Sequence, residues 1–262
     1  MKRVSVLLIV VAMTLGLTAC DRGVNPADKT ELIVFAAASM TETLTEIEAK
    51  YEAAHQDIDL VFTFDSSGTL KTQIEEGASC DVFISAAPKQ MNQLEELNLV
   101  LLDSRADLLE NKVALCVAEG NPADIHSYDE LAAALQAGTV LLAVGNSDVP
   151  VGQYTRKIFE HYGIDEAAVA SCLTYGSNVK EVTTAVTEAA ADCGIIYATD
   201  AFSAGLTPVD TATADMCGQV IYPAAVLNTS AHQEESRAFL DYLTREEAAT
   251  IFEAVGFTTL GK

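Results

Sequence analysis

The chain has 262 residues, room for one large or two modest domains at roughly 150 residues each. Half of the residues are hydrophobic and 20% are charged, which supports a buried core and excludes a disordered chain. Fifteen Lys and Arg face 38 Asp and Glu, a net charge of −23 that disfavours nucleic acid and anionic lipid as partners, and 6% aromatics without Trp disfavour a base- or sugar-stacking platform.

Residues 1–19 read as a lipoprotein signal peptide. Lys2 and Arg3 precede an apolar run of 14 residues over 4–17, short of the roughly 20 that a membrane-spanning helix needs. The run ends in Leu17-Thr18-Ala19-Cys20, which resembles a bacterial lipobox and implies lipid on Cys20. Cleavage there would remove two basic and no acidic residues, leaving a net charge of −25. Residues 20–30 are polar with Gly and Pro, as in a flexible tether.

The body begins with a buried strand over 31–38. A helix over 40–55 follows, in which Leu44, Ile47, Tyr51 and Ala54 share a face. Strands over 58–64 and 81–85 alternate with helices ending at Glu76 and spanning 88–97, the last opened by Pro88. Short loops and near-continuous apolar strands predict a mostly parallel sheet covered on both faces. The pattern restarts after Asn111 with strands over 112–118, 139–144 and 193–197 and helices over 128–136, 152–162 and 179–191. Residues 220–227 are apolar but contain Pro223, which predicts an edge or crossover segment. Helices over 233–243 and 245–255 close the chain. The expected architecture is α/β with two lobes, 31–112 and 113–222, and a return of 223–262 to the first lobe. A ligand would lie in the cleft between them, outside the carboxyl ends of strands.

Chemistry points the same way. Strands repeatedly give way at once to helices, at Ser39, at Ser66-Ser67-Gly68, at Pro150-Val151-Gly152 and at Ser177-Asn178-Val179. Each helix start presents backbone N–H groups without intrahelical partners and the positive end of a dipole. Four such ends facing one cleft would hold a small anion without a countercharge. The competing role for each Ser is ordinary helix capping. A serine nucleophile lacks a G-x-S-x-G elbow and a His near Ser39 or Ser67, and no nucleotide-phosphate loop occurs. Asp65 and Asp81 read as turn and solvent-facing residues. The four His (55, 126, 161 and 232) are scattered, and no metal-binding spacing appears. Cys80, Cys116, Cys172, Cys193 and Cys217 remain after cleavage, an odd number, so at least one is free.

An ordered set of motifs carries a family resemblance: 34–41 (VFAAASMT), 64–70 (FDSSGTL), 73–78 (QIEEGA), 81–86 (DVFISA), 142–145 (LAVG), 149–154 (VPVGQY), 194–201 (GIIYATDA), 222–226 (YPAAV) and 256–258 (GFT). It resembles the molybdate-binding proteins of ABC transporters. The resemblance implies a class II solute-binding fold without catalysis or cofactor, and a monomer that binds molybdate or tungstate and delivers it to a membrane permease. It also implies side-chain and backbone donors at Ser39 and Ser67, backbone N–H donors at Val151 and Val179, and a Tyr197 hydroxyl at the rim. The metal would be held as the oxyanion, with no direct protein ligand. The alternative ligand on the same fold is sulfate, thiosulfate or another small anion.

Overall fold

The computed structural model describes residues 29–260, so the leader and Cys20 lie outside the described residues. The chain opens with β1 (Thr30–Ala37), α1 (Thr41–Ala54), β2 (Ile58–Asp65), α2 (Ser67–Glu75), β3 (Val82–Ile84), α3 (Pro88–Glu96) and β4 (Ala106–Asn111). A middle stretch follows: β5 (Val113–Val117), α4 (Tyr128–Ala137), β6 (Leu142–Gly145), α5 (Pro150–His161), β7 (Leu173–Gly176), α6 (Val179–Thr187), β8 (Cys193–Tyr197), α7 (Ala198–Ser203), β9 (Asp210–Thr211) and α8 (Ala214–Cys217). The last stretch is β10 (Val220–Val226), α9 (Gln233–Leu243), α10 (Glu246–Ala254) and β11 (Thr258–Thr259).

Two sheets result. The first has the strand order β11-β4-β10-β3-β1-β2, and the second β7-β6-β8-β5-β9. Helices flank each sheet, and each sheet with its helices is termed a lobe. The chain passes from the first to the second at Lys112, and returns after Cys217. It re-enters the first sheet at Val220.

Both sheets are mixed, but antiparallel pairing is as extensive as parallel pairing. β1 runs parallel to β2 and β3, and β6 parallel to β7 and β8. β10 is antiparallel to β3 and β4, β11 to β4, and β5 to β8 and β9. The strands on either side of the two crossings, β4, β5 and β10, all pair antiparallel.

Alternation along β1 splits the first lobe's core. Val34 and Ala36 face a large cluster with Leu44, Ile47, Phe239 and Phe252 of α1, α9 and α10. Phe35 faces the other side, with Leu70 and Ile74 of α2 and Met91 and Leu94 of α3. Burying both faces leaves little room for polar residues, hence the near-continuous apolar strands.

Pro223 is the main departure from the sequence expectation. β10 is not an edge strand; it lies between β4 and β3 in the interior of the sheet. The register against β4 slips between Tyr222 and Pro223, so a bulge absorbs the missing N–H, while the Pro223 carbonyl still accepts from Ser85 N–H at 2.9 Å. β4 and β7 were not predicted, and α6 ends earlier than expected, before Ala189 turns to a φ of 53°.

The five described cysteines are all buried and unpaired. Burial pushes the Cys116 and Cys193 thiols up to about 12, so they behave as small apolar groups rather than nucleophiles. Asp81 is buried rather than solvent-facing. Its carboxylate accepts from Ile33 N–H at 2.8 Å and from the Ser230 hydroxyl at 2.6 Å, tying β1 to the loop after β10. No helix among the described residues is long and apolar enough to cross a membrane.

Candidate functional site

The four strand-to-helix junctions singled out in the sequence converge on one small cavity between the lobes. Its lining is Ala38, Ser39, Ser66, Ser67 and Ala86 from the first lobe, and Val149, Pro150, Val151, Val179 and Tyr197 from the second. All five expected ligand residues are therefore neighbours, and all are buried. The lining contains no Lys, Arg, His, Asp or Glu.

The two serines are not helix caps. Ser66 is the N-cap of α2, and its hydroxyl accepts from Thr69 N–H. That releases Ser67, the first helical residue, whose N–H has no acceptor among the described residues. Ser67 Oγ accepts from Ala86 N–H at 3.0 Å, which leaves its own proton to point elsewhere. Ser39 lies in a 3₁₀ turn, Ala38–Met40, ahead of α1, and makes no capping bond either. Its Oγ is 2.9 Å from the Tyr222 hydroxyl.

The second lobe contributes main chain. Pro150 occupies the first turn of α5, where a missing N–H costs nothing, and the N–H of the next residue, Val151, has no acceptor among the described residues. α5 begins so close to the end of β6 that a Cβ on Gly152 would lie 2.2 Å from the Gly145 and Asn146 carbonyl oxygens. Only glycine fits there. In α6 the N-cap is Asn178, whose side chain accepts from Glu181 N–H, so Val179 is the first helical residue and its N–H is likewise free of internal partners.

Tyr197, at the end of β8, differs from its expected place at a rim. It is fully enclosed, with 1% of its surface exposed, and its hydroxyl has no hydrogen-bond partner among the described residues. Burial, with the neighbouring Tyr222 hydroxyl, pushes its pKa well above the ordinary phenol value, so it stays a donor.

Contacts between the lobes surround the cavity. Gln90 Nε2 donates to the Asp148 carbonyl at 3.3 Å, and a Cβ on Gly68 would lie 2.3 Å from that same oxygen. Asn178 Nδ2 donates to Asp65 at 3.4 Å. Lys180 Nζ joins Glu42 of the first lobe, at 2.8 Å, to Asp200 of the second, at 3.2 Å. Asp200 is fully buried, and desolvation raises its pKa to about 6 although Lys180 opposes the shift. No group of three or more His, Cys, Asp or Glu among the described residues could hold a metal ion.

Sequence reasoning missed Asn111, Thr199 and Tyr222, which form a polar chain behind Ser39. Nothing local in the sequence marks them, because they come from β4, α7 and β10 and meet only in the fold.

Residues 32–258 match the family described as bacterial extracellular solute-binding protein. The chain belongs to that family. YvgL of Bacillus subtilis (strain 168), provisionally named an ABC transporter substrate-binding lipoprotein, is 30% identical over 98% of both chains. The molybdate-binding protein ModA of Haemophilus influenzae is 32% identical, covering 90% of this chain and 93% of its own. The solved periplasmic molybdate-binding protein of Azotobacter vinelandii superposes with a TM-score of 0.76 at 21% identity, over 88% of this chain and all of that one. At that identity the likeness establishes the two-sheet fold alone.

Proposed function

We propose that this protein binds molybdate, and tungstate equally, and presents it to the permease of an ABC importer, without catalysing a reaction. One observation carries the reading: Ser39, Ser67, Val151, Val179 and Tyr197 line a single cavity whose lining holds no charged side chain. The similarity to ModA supports it. The division into two lobes that close on the ligand, and the anchoring of the mature chain to the outer face of the membrane through lipid on Cys20, belong to the same proposal. The provisional lipoprotein name of YvgL supports the anchor.

A tetrahedral dianion needs donors and offers no proton of its own. Main-chain N–H groups at helix starts and hydroxyl groups meet that need, and helix dipoles supply partial positive charge without the desolvation cost of a buried Lys or Arg. Molybdate and tungstate have the same shape and charge, so a donor cage treats them alike. Sulfate and phosphate are smaller, and each donor they fail to reach costs roughly 1–3 kcal/mol. Phosphate at neutral pH also carries a proton, for which this lining offers no carboxylate acceptor.

The test is a thermal-shift panel on the mature chain with molybdate, tungstate, sulfate and phosphate. Binding to the native state raises the unfolding midpoint by mass action. Molybdate and tungstate are expected to raise it at micromolar concentration, and the other two are not. A rise with sulfate alone would replace molybdate by sulfate as the ligand, and no rise with any oxyanion would remove the oxyanion reading.

A further inference from the structure

We propose that Tyr222 and Asn111 are positioning residues that set the direction of the Ser39 hydroxyl proton, so that Ser39 presents that proton to the cavity. The inference rests on the oxyanion reading of the cavity and adds a part of the site that does not itself touch the ligand.

The direction follows from counting protons along the chain of bonds. Asn111 Oδ1 accepts from Lys112 N–H at 2.8 Å, which fixes which way the amide is turned. Its Nδ2 therefore carries the two remaining protons. These go to Thr199 Oγ1 at 2.9 Å and to Tyr222 Oη at 3.1 Å. Tyr222 Oη accepts from Asn111, and the hydroxyl of neighbouring Tyr197 makes no hydrogen bond among the described residues, so a Ser39 that donated would leave the buried Tyr222 proton without an acceptor; that proton is therefore assigned to Ser39 Oγ, 2.9 Å away. Ser39 Oγ is thus an acceptor on the Tyr222 side, and its own proton is left for the cavity that Ser39 lines. Without Tyr222, the serine hydroxyl would turn freely and present a lone pair to an anion for part of the time.

The surroundings keep this order intact. Asn111, Thr199 and Tyr222 are buried, so water does not compete for the bonds. Burial also raises the Tyr222 pKa well above the phenol range, so the proton is not lost. The ring is held edge-on between Tyr197, at 5.8 Å, and Phe257, at 5.3 Å, an arrangement that phenylalanine can reproduce. Ser67 is treated in parallel: its Oγ accepts from Ala86 N–H, and its proton too is left over. Two serines from different junctions are turned into donors by two different devices, one a hydroxyl relay and one a main-chain amide.

The experiment is a double-mutant cycle read by calorimetric titration with molybdate, using wild type, Tyr222→Phe, Ser39→Ala and the double variant. Tyr222→Phe is expected to weaken binding about tenfold in the wild-type background. In the Ser39→Ala background the same substitution should change affinity by less than about twofold, because the hydroxyl it orients is gone. Asn111→Ala, as a second route to the same loss, should show the same dependence on Ser39. Unliganded unfolding midpoints separate a binding defect from a folding one. Equal losses in both backgrounds, or no loss from Tyr222→Phe in the presence of Ser39, would overturn the proposal. If wild type responds to sulfate and not to molybdate, the molybdate reading falls. The identical cycle titrated with sulfate then decides the relay, since any tetraoxo dianion needs the same donor.

Discussion

The two halves of the cavity are built from different chemistry. The first lobe offers hydroxyls at Ser39 and Ser67, each already engaged by one hydrogen bond within the protein. The second lobe offers main-chain N–H groups at Val151 and Val179, where the side chains are apolar and buried. One half depends on side-chain identity and the other on where a helix begins. It follows that ordinary side-chain replacement can disable the first half, whereas the second yields only to changes in the backbone.

The largest effect is expected from separating the halves. Gly68→Val would place a methine carbon at a point 2.3 Å from the Asp148 carbonyl across the lobe contact. Overpacking there is expected to cost about 3 kcal/mol of molybdate binding, roughly 100-fold, with each lobe still folded. Titration calorimetry and far-ultraviolet circular dichroism measure the two parts, and an affinity within twofold of wild type would show that the lobes bind the ligand without meeting here. Next comes the hydroxyl half. Ser67→Ala and Ser39→Ala should each weaken binding by roughly 1–3 kcal/mol, and Ser67→Ala should also lower unliganded stability because it leaves Ala86 N–H without its acceptor.

The amide half is tested by a pair of variants at one position. Asn178 is extended at the N-cap, with φ −153° and ψ 173°, so a proline at 179 is sterically acceptable and favoured at a first helical position. Val179→Pro deletes the N–H and is expected to lose about 1–2 kcal/mol of binding, while Val179→Ala keeps the N–H and binds nearly as wild type. Equal affinities for the two variants would remove Val179 from the ligand set. Tyr197→Phe should cost about 1 kcal/mol of binding and leave unliganded stability unchanged or higher, because it removes a buried hydroxyl that has no hydrogen-bond partner among the described residues.

The smallest effect on binding concerns the clasp beside the cavity. Asp200 titrates near 6 in the fold against an ordinary value of 3.8, because burial outweighs the attraction of Lys180. A carboxyl with a raised native pKa favours the fold at pH below about 4, and that contribution is lost as pH rises through 6. Stability attributable to this group therefore falls between pH 4 and 6. Asp200→Asn should flatten the dependence of the unfolding midpoint on pH in that window, and an unchanged slope would show that the carboxyl is ionised throughout.

Much of this protein is written locally. The strand-to-helix junctions at Ser39, Ser66-Ser67, Pro150-Val151 and Asn178-Val179 were legible because a helix start carries its signal in two or three adjacent residues. The alternation of apolar strands and amphipathic helices gave the α/β class for the same reason. What the sequence left open was set by long-range pairing. β4 is a short polar-ended strand, and β10 contains a proline. Both are strands because each finds an antiparallel partner across more than a hundred residues of chain. Asn111, Thr199 and Tyr222 became a relay only when those pairings brought three unremarkable residues to the back of one serine. The sequence determined the helix starts and their donors, since those depend on neighbours along the chain. The tertiary structure decided that the starts share a single cavity, which serine proton faces it and how deeply Tyr197 is enclosed, since those depend on atoms that meet only after two sheets have formed and packed.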